Sequence, residues 1–290
     1  MAVCGSCLLG SLLVGGALYL QVVFLTTPFR NSDIGRPGQL AYQDVTLTSA
    51  DGVPISGWYI PGRRTAGIVL VHGIHANRAY LLPQAEILAE AGYHLLLIDL
   101  RGHGLSGDGF VTFGYNEALD VQAGMDYLLA QPEIGQVALL GHSLGAAAVV
   151  RATADDERVQ GLIVQSSYSS LRQMAADSFE KYAVLPKWPF APLIIKLAEL
   201  RTGLKMGQIS SKRDLATMKP RPVLIIHSAA DDLIPVHQAQ QMYQAAQEPK
   251  EILIVPGLPH INPITDNEPL YRARMLAFFE MVFERAERID

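Results

Sequence analysis

Six runs of the sequence are apolar through their centres without alternation: 67–73 (GIVLVHG), 94–100 (HLLLIDL), 136–143 (QVALLGHS), 161–167 (GLIVQSS), 222–228 (PVLIIHS) and 251–257 (EILIVPG). A strand with one wet face alternates apolar and polar residues, whereas a strand covered on both faces is written as a continuous apolar run. Helical stretches separate most of the six, so the strands run mostly parallel. Upstream, Val45-Thr46-Leu47-Thr48 and Ile55 to Ile60 do alternate, across Ala50-Asp51-Gly52, which predicts a hairpin with Asp-Gly in its turn. The expected architecture is α/β: a mostly parallel, doubly wound sheet preceded by an antiparallel hairpin. Ligands of such sheets bind outside the carboxyl ends of the strands.

One of those ends has a distinctive continuation. After Val137 to Leu140 come Gly141-His142-Ser143-Leu144-Gly145 and then a small-residue helical pattern, Ala146-Ala147-Ala148-Val149-Val150. This reads as strand, sharp turn, helix. Ser143 at the apex is forced into a strained backbone that lifts its hydroxyl above the sheet edge, and the flanking glycines remove Cβ atoms that would collide there.

With 290 residues, 49% hydrophobic and 18% charged, the chain can bury a large core and reads as one α/β domain with attachments. Its formal net charge is −5 and no basic run occurs, which argues against a nucleic-acid partner. Residues 1–29 contain no Lys, Arg, Asp or Glu, and 8–25 are almost wholly apolar. Eighteen such residues are long enough to cross a bilayer core, so 1–29 is expected to be a single-pass membrane anchor. A cleaved signal peptide would need a basic start and a small-x-small site, both missing; a buried core helix is the other alternative. Arg30 and Arg36 follow the span and no basic residue precedes it, which favours a cytoplasmic catalytic domain. Both cysteines, Cys4 and Cys7, lie in this segment, so the folded body holds no disulfide.

Residues 30–44 read as a linker and 45–290 as the catalytic domain. Between Tyr168 and Pro220 the strand pattern breaks; Val184 to Leu197 mixes Pro, Trp and Phe with an apolar helical stretch, and 169–220 is expected to be a cap inserted over the site. Residues 269–290 form an amphipathic helix with Met275, Phe278, Phe279, Met281 and Val282 toward the core. Tyr168 either lines the pocket or packs.

A serine hydroxyl needs a base within hydrogen-bond reach, itself oriented by a carboxylate. His260, in the loop after the last strand run, is the candidate base. His94, His103 and His237 read as solvent-exposed, and His142 and His227 as packing or turn-supporting. The carboxylate should leave the preceding strand, where Asp231 and Asp232 both stand.

Ser143, Asp231 and His260 occur in the nucleophile, acid, histidine order of the α/β-hydrolase superfamily, which this chain resembles from about Val45 onward. Asp231-Asp232-Leu233-Ile234-Pro235 resembles its D-x-x-[VI]-P acid segment, which selects Asp231, although His227-Ser228 departs from the usual His-Gly. His72-Gly73-Ile74 is similar to its oxyanion segment, implying the N–H groups of Ile74 and Leu144 as oxyanion donors. Residues 99–106, Asp99 to Ser106, resemble the D-x-R-G-x-G-x-S turn, implying a structural Asp99. The resemblance is to the membrane-anchored serine hydrolases grouped with serine aminopeptidases and monoglyceride lipases. It implies acyl transfer through Ser143 but does not fix a substrate; an ester or thioester is expected, and the apolar cap and the anchor point to a small-molecule or lipid-like acyl group. The histidines do not pair with acids at ligand spacing and no G-x-G-x-x-G follows a strand, so no metal and no cofactor are expected. A peptidase or amidase on the same residues, or a non-catalytic binding protein, are the alternatives.

Overall fold

A computed structural model describes residues 15–154, 156–182, 186–257, 259–260 and 268–287. The described residues open with a helix, α1 (15–26), followed by the hairpin β1 (Gln43–Thr48) and β2 (Pro54–Ile60) and by β3 (Ala66–Val71). A 3-10 turn leads into α2 (Leu82–Glu90) and β4 (His94–Ile98), then α3 (Glu117–Leu129), β5 (Gln136–His142), α4 (Leu144–Ala154) and β6 (Val159–Gln165). Three helices follow without a strand between them: α5 (Leu171–Tyr182), α6 (Lys187–Thr202) and α7 (Ser211–Thr217). The chain closes with β7 (Val223–Ser228), α8 (His237–Ala245), β8 (Lys250–Val255) and α9 (Glu268–Glu287).

The eight strands form one sheet in the order β1-β2-β4-β3-β5-β6-β7-β8, antiparallel at β1-β2 and β2-β4 and parallel elsewhere. Each of the six apolar runs supplies one parallel strand. β3, β4 and β7 are buried at every position, as strands sandwiched by helices must be. β8 departs from that expectation: only Val255 is fully buried, because this strand has a neighbour on one side only.

One core layer packs the sheet against α3, α4, α7 and α8, the other against α2 and α9. In α9, Tyr271, Met275, Phe278, Phe279, Val282 and Phe283 are buried, while Met281 is half-buried. Gly52 turns the hairpin at φ +85°, a conformation glycine adopts without penalty.

The apolar N-terminal stretch behaves differently from a free-standing span. Residues 1–14 lie outside the described residues, so the 8–25 reading falls partly there; among the described residues no helix is long and apolar enough to cross a membrane. The described part, α1, lies on the catalytic domain with Leu18, Val22 and Thr26 buried at helical spacing. The backbone N–H of Val111 donates to the Thr26 carbonyl (2.9 Å), and Arg201 of α6 donates from Nε to Thr26 Oγ1 (2.9 Å). Arg30 then reaches the 99–106 turn, donating to the carbonyls of Ser106 (2.5 Å) and Gly104 (3.1 Å) and pairing with Asp108 (2.8 Å).

Candidate active site

Ser143 is the single residue between β5 and α4, with φ +53°. The two glycines around it are sterically required: a Cβ on Gly141 would stand 2.4 Å from the Gly145 carbonyl oxygen, and one on Gly145 2.2 Å from that of Val71. Ser143 is held on both backbone sides, its N–H donating to the Gln165 carbonyl (2.8 Å) and its carbonyl accepting from Ser167 Oγ (3.2 Å).

The strand order brings the ends of β7 and β8 to the same edge, each parallel to its neighbour. His260 Nε2 lies 3.1 Å from Ser143 Oγ, and His260 Nδ1 lies 2.7 Å from Asp231 Oδ2. The carboxylate fixes the tautomer: Nδ1–H donates to Asp231, leaving Nε2 to accept the serine proton. Asp231 is itself immobilised, because Oδ1 accepts the N–H groups of Leu233 (3.0 Å) and Ile234 (2.7 Å). Its side chain is fully buried, while Asp232 is exposed. Of the two adjacent acids it is Asp231 that reaches His260.

The structure corrects the expectation for two of the other histidines. His94 and His103 were expected in solvent; both are buried. His94 sits in β4 with Nδ1 2.7 Å from the Tyr59 hydroxyl, and His103 is folded under its own turn, Nδ1 2.9 Å from the Arg101 carbonyl. His237 is partly exposed beside Asp177. His227 donates from Nε2 to the Ile234 carbonyl (2.8 Å), bracing the acid loop.

His142 does more than pack. Its ring lies 5.6 Å from that of His260 and 5.0 Å from that of Tyr80. Burial, reinforced by neighbouring histidines of which His260 is the first, lowers its pKa to about 3, so it stays uncharged. Gln165 Nε2 donates to its Nδ1 (3.1 Å), and the Tyr271 hydroxyl fixes the orientation of Gln165 by donating to Oε1 (2.6 Å). A neutral ring thus packs behind His260 and brings no charge to it. No sequence spacing pointed to Gln165 or Tyr271, which lie 106 residues apart.

Ile74 follows β3 and Leu144 opens α4, where the first N–H groups of a helix have no intrahelical partner and carry its positive end. His72 ties this corner together: it accepts the Leu100 N–H at Nε2 (3.1 Å) and donates from Nδ1 to the Gly73 carbonyl (2.6 Å). Burial keeps it neutral too, its pKa lowered. Asp99 is a structural anchor, buried and accepting from the Arg78 backbone (2.7 Å) and guanidinium (2.8 Å) and from the Leu105 N–H (2.9 Å). Tyr168 is buried and donates to the Phe113 carbonyl (2.9 Å), so it packs. Among the described residues no cluster of His, Cys, Asp or Glu is arranged to hold a metal.

A hydroxyl, a base and a buried acid in line, beside the peptide N–H of Leu144 at a helix start, can carry acyl transfer through an oxyanion intermediate. Known proteins share this frame. The uncharacterized protein YfhR of Salmonella typhi is 28% identical over 260 residues, covering 82% of this chain and 81% of its own. The α/β-hydrolase domain-containing protein WAV2 of Arabidopsis thaliana is 25% identical, covering 83% and 79%. The crystal structure of the Pyrococcus furiosus esterase Pf2001 superposes with a TM-score of 0.74 at 25% identity, over 89% of this chain and 98% of the esterase. The family described as serine aminopeptidase, S33, matches residues 62–215, more than half of the chain and spanning the serine elbow, the 99–106 turn and most of the helical insertion. The chain therefore belongs to the serine aminopeptidase S33 family of α/β-hydrolases.

Proposed function

We propose that this protein is a membrane-attached serine hydrolase that cleaves a carboxylic ester or thioester with a lipid-like acyl group. The observation that carries the reading is the contact chain from Ser143 Oγ through His260 to Asp231. In this reading His260 takes the proton of Ser143 as the oxygen attacks the carbonyl carbon. The N–H groups of Ile74 and Leu144 stabilise the oxyanion; losing one such donor lowers the rate about 10²- to 10³-fold. His260 then protonates the leaving alcohol or thiol, and water activated by the same imidazole releases the acid. Similarity to an esterase supports the choice of ester.

The family description favours a second reading, an aminopeptidase. Such an enzyme must neutralise a substrate α-ammonium, and the cavity between α1 and the 171–202 helices has no carboxylate among its described lining residues. Rates on acyl p-nitrophenyl esters and on aminoacyl p-nitroanilides, measured side by side, separate the two. The ester is expected to be preferred by kcat/KM; a preference for the anilide with a free amino group would replace it with the peptidase.

Attachment through residues 1–29, with the cap side at the bilayer and the domain on the cytoplasmic face, belongs to the same proposal. It is supported by the charge-free first segment and by the exposed side chains of Tyr19, Leu20 and Phe29 and of Trp188 and Leu200 in α6. Arg30 carries less topological weight than its position suggests, since Asp108 balances its charge.

A further inference from the structure

A cavity of about 440 Å³ lies between α1, α5 and α6. Its lining is almost entirely apolar: Phe24 and Leu25 from α1, Leu171 and Met174 from α5, Ile195 from α6, and Leu233 from the loop of the acid. Two of its lining residues touch residues of, or next to, the candidate site. Leu233 is two residues from Asp231 and donates its N–H to that carboxylate (3.0 Å). Phe24 packs on the ring of His75 (6.2 Å between centroids), and His75 follows the oxyanion residue Ile74. The Phe29 N–H donates to His75 Nδ1 (3.3 Å), fastening the end of the N-terminal segment to the same residue.

We propose that α1 is a built wall of the acyl-binding chamber, so that the N-terminal segment sets which acyl chain lengths the enzyme accepts. The proposal rests on the hydrolase reading and adds its specificity element. A chamber with no acid or base among its described lining residues, beside the acid loop at Leu233 and next to His75 at Phe24, suits an unbranched hydrocarbon chain whose carbonyl sits at Ser143. α1 is held in place for this role: its buried stripe of Leu18, Val22 and Thr26 and the Arg201 contacts to Thr26 and Thr27 fix it to the cap helix α6. Each methylene drawn into such a chamber raises kcat/KM by about fourfold until the space is full.

The test uses the full-length protein in detergent and p-nitrophenyl esters of two to sixteen carbons. Wild type is expected to favour a chain of eight carbons or more over acetate. Leu25→Trp on α1 and Ala198→Phe on α6 both add bulk inside the chamber. Each is expected to lower the ratio of kcat/KM for the dodecanoyl ester to that for the acetyl ester at least tenfold and to move the optimum to shorter chains. Leu20→Trp, on the exposed face of the same helix, is expected to leave the ratio within twofold. Circular dichroism melts show which variants are folded, and Phe24→Ala, which enlarges the chamber, is expected to move the optimum to longer chains. A ratio that responds to Ala198→Phe but not to Leu25→Trp or Phe24→Ala overturns the role of α1, and a ratio that responds to none overturns the chamber. Both results leave the hydrolase standing if acetyl ester turnover by wild type requires Ser143; absence of that turnover removes the hydrolase and the chamber together.

Discussion

His103 shows what burial does to one ionisable side chain here. Buried under the 99–106 turn, with Nε2 lacking a partner among the described residues, it has a pKa lowered to about 4, first by desolvation and then by His72. In the unfolded chain the same group titrates near 6.5. Below pH 6.5 the unfolded state therefore binds a proton that the native state refuses, and stability falls as pH falls, by about 1.4 kcal/mol per pH unit for this residue. Other buried groups titrate as well, so the contribution is isolated by comparison with His103→Gln, in which it is missing. Wild-type stability measured by urea unfolding is expected to lose about 2 kcal/mol relative to the variant between pH 7.5 and 5. A difference independent of pH would mean that His103 is protonated or wet in the folded protein.

At the scale of elements, α1 separates what the sequence could show from what it could not. The parallel strands were legible because each is covered on both faces and so lacks polar positions, and the serine elbow because two glycines must flank a residue at φ +53°. The charge-free stretch before residue 30 is equally conspicuous, but its destination depends on partners far away in sequence, Val111 and Arg201, which no local pattern announces. The same holds for His94 and His103, whose burial follows from contacts with Tyr59 and with the 99–106 turn. Docking of α1 has a measurable signature. Leu18→Ala removes a side chain that is 2% exposed and is expected to destabilise the domain by about 2–3 kcal/mol, whereas Leu20→Ala, at a position 68% exposed, is expected to change stability by less than about 0.5 kcal/mol. Equal, negligible effects in chemical unfolding of the detergent-solubilised protein would mean that α1 leaves the domain.

At the scale of the whole molecule, α1 and α6 are joined through the Arg201 contacts to Thr26 and Thr27, and both carry exposed apolar side chains, Tyr19 and Leu20 on α1 and Trp188 and Leu200 on α6. The chain has two tryptophans: Trp58 of β2 is buried in the core layer that holds α2 and α9, and Trp188 at the start of α6 is 77% exposed. On addition of anionic phospholipid vesicles, the emission of the full-length protein is expected to shift to the blue through Trp188, and Trp188→Phe to abolish the shift. An unchanged spectrum with vesicle-bound protein would place the cap away from the bilayer.

The central claim is that Ser143 is a nucleophile activated by His260 and Asp231. Its most direct test is labelling of the folded, full-length protein with an alkyl fluorophosphonate, followed by peptide mass spectrometry, beside Ser143→Ala. The account expects one adduct on the peptide containing Ser143 in wild type and none in the variant. A folded wild type that takes no label, or a label that survives Ser143→Ala, would contradict it.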